Sequence, residues 1–102
     1  MTAIDKSAQI ELEAAVFRRL LEHLRQRPQV QNIDLMTLAG FCRNCLANWY
    51  VDAAKEAGQT VAKDEARELV YAMPYDAWKA RHQSEATPAQ ARAFEKKADG
   101  SH

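Results

Sequence analysis

The chain has 102 residues, of which 47% are apolar and 27% charged, so it can bury one hydrophobic core but is too short for two domains. Fourteen basic residues balance fourteen acidic ones, and without a global field of either sign we expect neither nucleic acid nor a membrane as partner. No apolar run approaches the roughly 20 residues that span a bilayer, and the acidic start of the chain is unlike a secretory signal, which predicts a cytoplasmic protein.

The first predicted helix spans residues 7–27 and carries two apolar stripes. The main stripe recurs at helical spacing and consists of Ile10, Ala14, Phe17, Leu21 and Leu24. A second set lies outside that stripe and consists of Leu12, Val16 and Leu20. The second set indicates a further contact surface, for a later helix or a partner chain. Pro28 ends the helix, because its ring removes a backbone donor and pushes the preceding residue out of the helical region.

The second predicted helix is the longest and runs from Asp34 to Gly58. Asp34 can cap its start through the carboxylate, and Gly58 can adopt the left-handed conformation that ends helices. The apolar repeat between them consists of Leu35, Leu38, Cys42, Leu46, Trp49 and Ala53. This repeat keeps its phase through Gly40, which favours one unbroken helix. The alternative is that Gly40 ends a short helix and a new helix begins at Phe41 or Cys42.

Three shorter helices are predicted after residue 58. Thr60 or Asp64 opens the first of them, and Pro74 interrupts it and leads into the second. The segment Thr87-Pro88-Ala89-Gln90 is a capping-box signature for the last helix, which should run to about residue 97.

These elements predict an all-α fold, because no segment alternates apolar and polar residues long enough to form a strand. We expect one small domain over residues 1–102, with four to five helices packed as an irregular or orthogonal bundle. Residues 7–97 should be ordered, and residues 98–102 should form a flexible tail.

The two cysteines form a Cys-X-X-Cys pair, Cys42 and Cys45. On an unbroken helix Cys42 lies within the apolar stripe and Cys45 at its edge, so we expect a core thiol and a boundary thiol. Arg43 would then point away from both, and Asp34 would be two turns away, so nothing would activate the thiols. On the alternative, with a helix that begins near Cys42, both thiols would meet the positive end of a helix.

The same pair supplies two of the four ligands that a structural zinc site requires. The other two ligands would come from His23, His82, Asp52 or Glu56. No second paired motif is present, and both histidines are expected at the surface. Metal binding or thiol redox chemistry at Cys42 and Cys45, with His82 or His23 as a further metal ligand, is therefore the alternative function. Zinc is its candidate cofactor, and otherwise we expect none.

Several aromatic residues mark a candidate interface or pocket. Tyrosine and tryptophan carry a polar tip that needs a partner when buried, so clusters of them are typical of core edges, interfaces and pocket rims. The candidate residues are Arg43, Asn44, Trp49, Tyr50, Tyr75 and Trp78.

Five segments of the chain resemble a known family in their order and spacing. They are Gly40-Phe41-Cys42-Arg43-Asn44-Cys45-Leu46, Trp49-Tyr50, Met73-Pro74-Tyr75, Trp78-Lys79 and Glu85-Ala86-Thr87. These segments closely resemble the short bacterial family catalogued as domain of unknown function 1244, over nearly the whole chain. The resemblance implies a small, all-helical, bacterial cytoplasmic protein. It implies no reaction, since the family has no established activity.

The leading functional hypothesis is a non-enzymatic helical module that associates with itself or with another protein. The second apolar stripe of the first helix and the aromatic residues favour it. No complete catalytic constellation is present in the sequence: it has no nucleophile elbow, no glycine-rich phosphate loop and no His-Glu-X-X-His motif.

Overall fold

The computed structural model describes residues 4–100 of the chain, with side chains for residues 4–96. Within that part of the chain it has six helices and no strand, so the predicted all-α fold is confirmed for one small domain. The helices are α1 (Lys6–Arg25), α2 (Asn32–Ala39), α3 (Arg43–Glu56), α4 (Lys63–Tyr71), α5 (Tyr75–His82) and α6 (Pro88–Gly100). The predicted number of four to five helices is wrong. Of the tail predicted for residues 98–102, the last two residues lie outside the described residues.

The extra helix arises at Gly40, where the predicted unbroken helix is divided into α2 and α3. Gly40 has φ 77° and ψ 9°, the left-handed conformation, and its N–H donates to the carbonyl of Met36. Cys42 is extended, with φ −137°, and is the N-cap of α3. The prediction of an unbroken helix is therefore wrong. The prediction used only the spacing of apolar residues along the sequence. A left-handed glycine turns the chain without altering that spacing, so the repeat cannot reveal the break.

The core lies where the end of α1 meets α3, α4 and α5. Its buried residues are Leu21, Leu24, Leu46, Ala47, Ala66, Val70, Tyr71 and Trp78. Ala47 and Ala66 are fully buried, and such small side chains allow α3 and α4 to pack closely. Burying each of the larger aliphatic side chains stabilises the fold by about 1.5–3 kcal/mol.

The helix contacts centre on α4, with α6 attached separately to α2, so the packing differs from the predicted irregular or orthogonal bundle. α3 packs on α4, α2 on α6, α4 on α5, and α1 reaches α4. The side chain of Arg25, at the end of α1, donates to the carbonyls of Leu69 and Val70 in α4. The body is elongated, with extents of 50 × 32 × 27 Å, because much of α1 extends beyond the core.

Local capping explains where α6 begins and how it is attached. Thr87 Oγ1 accepts from the Gln90 N–H at 3.1 Å, and Gln90 Oε1 accepts from the Thr87 N–H at 2.9 Å, which confirms the predicted capping box. Gln90 Nε2 also donates to the carboxylate of Asp34 at 3.0 and 3.1 Å and so joins α6 to α2. Asp34 lies in the first turn of α2, whose N-cap is Gln31, so the prediction of Asp34 as a helix cap is wrong.

Candidate functional site

A buried arginine organises the start of α3. Arg43 is only 2% exposed, and its Nη1 donates to the carbonyl of Val30 at 2.7 Å and to Asn32 Oδ1 at 3.0 Å. Its Nη2 donates to the carbonyl of Arg27 at 2.9 Å. The guanidinium also lies 5.0 Å from the centre of the Trp78 ring, within range of a cation–π contact. Arg43 therefore ties the connection between α1 and α2 to α3 and α5.

The charge of Arg43 is retained inside the protein. Burial lowers the pKa of its guanidinium, because desolvation disfavours the charged form. Arginine nevertheless stays protonated in proteins, since its ordinary pKa lies so far above neutral pH. The carbonyl dipoles of Val30 and Arg27 and the face of Trp78 stabilise the charge in place of water.

A chain of side-chain hydrogen bonds continues from Asn32. Asn32 Nδ2 donates to the Tyr71 hydroxyl at 3.1 Å, and that hydroxyl donates to Asn44 Oδ1 at 2.8 Å. Asn44 Nδ2 in turn donates to the Tyr75 hydroxyl at 3.1 Å. Burial raises the pKa of Tyr71 well above its ordinary value, because desolvation disfavours the phenolate. Tyr71 therefore remains a neutral hydrogen-bond donor at physiological pH.

The predicted aromatic residues divide into two groups. Tyr75 and Trp78 both pack on the buried Tyr71, with ring centroids 5.1 and 4.9 Å away, so they lie together with Arg43 and Asn44. Trp49 and Tyr50 instead lie on the exposed side of α3. The sequence marks Tyr71 as one of the polar-tipped aromatic residues but not as a candidate site residue, and only the fold places it at the centre of the first group.

A pocket of about 370 Å³ with both polar and apolar lining opens beside the first group. Asn32, Asn44 and Tyr75 line it on one side, and residues 83–86 line it on the other. Its polar groups on the helical side are amides and a phenol, which donate and accept hydrogen bonds without a formal charge.

The two thiols lie at the N-terminus of α3. Cys42 is 8% exposed and Cys45 is half-buried, as expected for a core and a boundary thiol. The two Sγ atoms are 3.9 Å apart, and Cys45 Sγ lies 3.7 Å from Met36 Sδ. Burial raises the pKa of the Cys42 thiol, and the backbone N–H groups of Cys45 and Asn44 oppose that effect. Of the two arrangements that the sequence left open, the structure has the one in which a new helix begins at Cys42, so both thiols lie at its N-terminus.

The two histidines predicted as possible metal ligands, His23 and His82, contact residues other than the cysteines. His23, in the last turn of α1, has its Nδ1 3.1 Å from Nη1 of Arg27, which follows the helix. His82 packs on Trp78, with ring centroids 5.5 Å apart, and its carbonyl accepts from Gln31 Nε2. Among residues 4–96, no three or more His, Cys, Asp or Glu side chains are grouped so that they could hold a metal ion. The structure therefore brings Cys42 and Cys45 together without either histidine.

A second feature is a set of apolar side chains on α1 and α3 that are exposed or line an open groove. We call it the α1/α3 apolar surface, and its residues are Ile10, Leu12, Val16, Phe17, Trp49 and Tyr50. Val16 is 68% exposed, Trp49 55% and Leu12 53%. An apolar groove of about 420 Å³ joins the two helices at Phe17, Trp49 and Tyr50. No helix in the described part of the chain is long and apolar enough to cross a membrane.

Comparison with known families agrees with the motif resemblance. Residues 30–96, more than half of the chain, match the family described as "Protein of unknown function (DUF1244)". The matched region contains α2 to α5, both thiols and most of the hydrogen-bonded network around Arg43. A comparison with curated proteins finds no match. The chain therefore belongs to the DUF1244 family, whose function is unknown.

Proposed function

We propose that the chain is a non-enzymatic helical module that associates with a second copy of itself through the α1/α3 apolar surface. The observations that carry the proposal are the exposure of Leu12 and Val16 on α1 and of Trp49 on α3. Large apolar side chains that are scattered singly over a surface are ordinary, whereas several exposed on one helix near an apolar groove favour an interaction site. Tryptophan is also among the residues enriched where binding energy concentrates in interfaces.

The charges of α1 support a second copy as the partner. Residues 6–15 of α1 carry one basic and two acidic side chains, and residues 16–25 carry three arginines and one glutamate, so the two halves have opposite net charge. Two α1 helices that pack antiparallel about a two-fold axis would place each acidic half alongside the basic half of the other. A two-fold interface has to be complementary to itself, and this charge order meets that requirement.

Sedimentation velocity across a concentration series tests the proposal. We expect the wild type to dimerise as its concentration rises and Val16→Glu to remain monomeric, because the new carboxylates would be desolvated in the interface. The matched control is Leu38→Glu, the same kind of change at an 83% exposed residue of α2, and it should dimerise like the wild type. Circular dichroism should show that both variants keep the helical content of the wild type.

Two results would contradict self-association through this surface. One is a wild type that stays monomeric up to about 1 mM, the range in which even weak complexes form. The other is a Leu38→Glu variant that loses the dimer as completely as Val16→Glu does.

The second candidate function is metal binding or thiol redox chemistry at Cys42 and Cys45. The observation that favours it is the position of both thiols at the N-terminus of α3, 3.9 Å apart. Forming a disulfide would bring the two sulfurs to about 2.05 Å. The pair would lose two protons and two electrons, and a disulfide partner that takes up the electrons would be reduced to two thiols.

Equilibration in glutathione buffers of graded potential tests the redox half of this candidate. We expect one intramolecular disulfide, seen as a mass loss of about 2 Da, with a reproducible midpoint potential. Cys45→Ser is the control and should show only mixed disulfides with glutathione. A wild type that also shows only mixed disulfides would contradict the redox function. Elemental analysis of protein purified without chelator or affinity metal addresses the zinc that the sequence suggested.

A further inference from the structure

Three sulfur atoms converge where α2 ends and α3 begins. Cys45 Sγ lies 3.9 Å from Cys42 Sγ and 3.7 Å from Met36 Sδ. Met36 lies on α2 and both cysteines lie at the start of α3, so the left-handed turn at Gly40 brings the three residues together. Among residues 4–96, no histidine or carboxylate forms a metal-binding group with these cysteines.

We propose that Met36, Cys42 and Cys45 form a binding site for a soft monovalent metal ion, Cu(I). Two sulfurs that share one ion through bonds of about 2.3 Å lie about 3.8 Å apart in tetrahedral geometry and about 4.0 Å apart in trigonal geometry. The two observed sulfur–sulfur distances, 3.9 and 3.7 Å, fall at these values. Two of the three sulfur–sulfur distances therefore already suit one shared ion.

The chemistry of the donors favours Cu(I) over zinc. Thiolate and thioether are soft ligands, and a methionine sulfur is typical of copper sites. A structural zinc site takes four ligands from cysteine, histidine and carboxylate side chains. Among residues 4–96, only Cys42 and Cys45 meet that description at this site. Cu(I), in contrast, is satisfied by two or three sulfur donors.

The surroundings suit the charge of the loaded site. Two thiolates and one Cu(I) ion carry a net charge of −1, and Cys42 is the N-cap of α3, where the helix dipole favours negative charge. Cys42 is buried, whereas Cys45 and Met36 are half-buried, so an ion can enter from their side. The proposal rests on the same cysteine pair as the second candidate function and does not depend on self-association.

Competition with a chromophoric Cu(I) chelator, on the reduced full-length chain without oxygen, tests the site. We expect one Cu(I) per chain, held at least about a hundredfold more tightly than by Cys42→Ser or Cys45→Ser, because each of these loses a thiolate ligand. Met36→Leu should bind at least about tenfold more weakly than the wild type. Leucine nearly conserves the volume of methionine, so this variant should fold even where a cysteine variant does not.

The matched control is Met73→Leu, the same change at a half-buried methionine that packs on the core, and it should bind Cu(I) like the wild type. X-ray absorption should count three sulfur neighbours of copper in the wild type and in Met73→Leu, and two in Met36→Leu.

Three results would overturn the proposal. The first is equal Cu(I) affinity of the wild type and Met36→Leu, which would leave a two-cysteine site without the thioether. The second is zinc bound more tightly than Cu(I), with no sulfur neighbour lost in Met36→Leu. The third is a reduced chain that binds no Cu(I). If the Cys42–Cys45 disulfide then still forms with a defined potential, the copper site fails and the redox function stands.

Discussion

Truncating Arg43 should remove the contacts that hold the start of α3 in place. Arg43→Ala deletes three hydrogen bonds, which are donated to Val30, Arg27 and Asn32 at 2.7–3.0 Å. It also deletes the contact of the guanidinium with Trp78. The groups left behind are partly buried, so water can replace the lost donor only in part.

The size of the effect follows from these contacts. Hydrogen bonds from a charged donor contribute about 1.5–3 kcal/mol each, and a desolvated cation–π contact adds about 2 kcal/mol. The variant also relieves the desolvation of a buried ion, which costs several kcal/mol in the folded wild type. We therefore expect a net loss of about 3 kcal/mol, a large part of the roughly 5–15 kcal/mol that stabilise a domain.

Urea unfolding followed by circular dichroism measures this loss. All proteins should be compared at one concentration, because dimerisation would add to the apparent stability. Arg43→Lys should fall between the wild type and Arg43→Ala, since an ammonium cannot reproduce the fork of donors. The control Arg81→Ala, at an exposed arginine of α5, should change the stability by less than about 0.5 kcal/mol. A loss of less than about 1 kcal/mol in Arg43→Ala, at an unchanged m value, would refute the organising role of Arg43.

Three further predictions concern single residues. Tyr71→Phe should destabilise the fold by about 1–2 kcal/mol. Because burial raises the pKa of Tyr71, its hydroxyl ionises at a lower pH in the unfolded chain than in the folded one, and urea unfolding of the wild type should show a loss of stability above about pH 10. Tyr71→Phe should lose less stability over that range, and an equal loss in both proteins would contradict the buried hydroxyl. Gly40→Ala should lower the midpoint of thermal unfolding, because alanine in the left-handed conformation costs about 1–2 kcal/mol, and Gly40→Asn should lower it less. A midpoint of Gly40→Ala equal to that of the wild type would contradict a left-handed residue 40. Iodoacetamide near neutral pH should label Cys45 before Cys42 in peptide mass spectra, because burial shields Cys42 and raises its pKa; faster labelling of Cys42 would contradict the structure.

Local signals in the sequence were sufficient for the bounds of the first helix and for the start of the last one. The capping box at Thr87 and Gln90 acts within four residues, and the structure has both of its hydrogen bonds. The first helix was predicted for residues 7–27 and is Lys6–Arg25, since Pro28 stops a helix wherever the chain goes next. Such signals depend on neighbours along the chain, which is why they can be interpreted without the fold.

The division of the predicted helix at Gly40 shows where the apolar periodicity of the sequence led to a wrong prediction. Both outcomes were open in the sequence, because a glycine can lie within a helix or end one. The unbroken phase of the apolar repeat favoured the wrong outcome, and in the structure Leu38 of that repeat is 83% exposed. Periodicity predicts which residues share a face only while the helix continues.

The members of the candidate sites could be named in part from the sequence, but their grouping could not. Residue type was enough to select both cysteines and the aromatic residues, and patterning was enough to predict an all-α domain. Contacts between distant parts of the chain were decided by the tertiary structure: Arg43 beneath Trp78, Asn32 on Tyr71, and Met36 beside Cys45. The physical reason is that caps and prolines act through the backbone next to them, whereas these contacts depend on the direction that the chain takes after Gly40 and on the packing of α3 against α4.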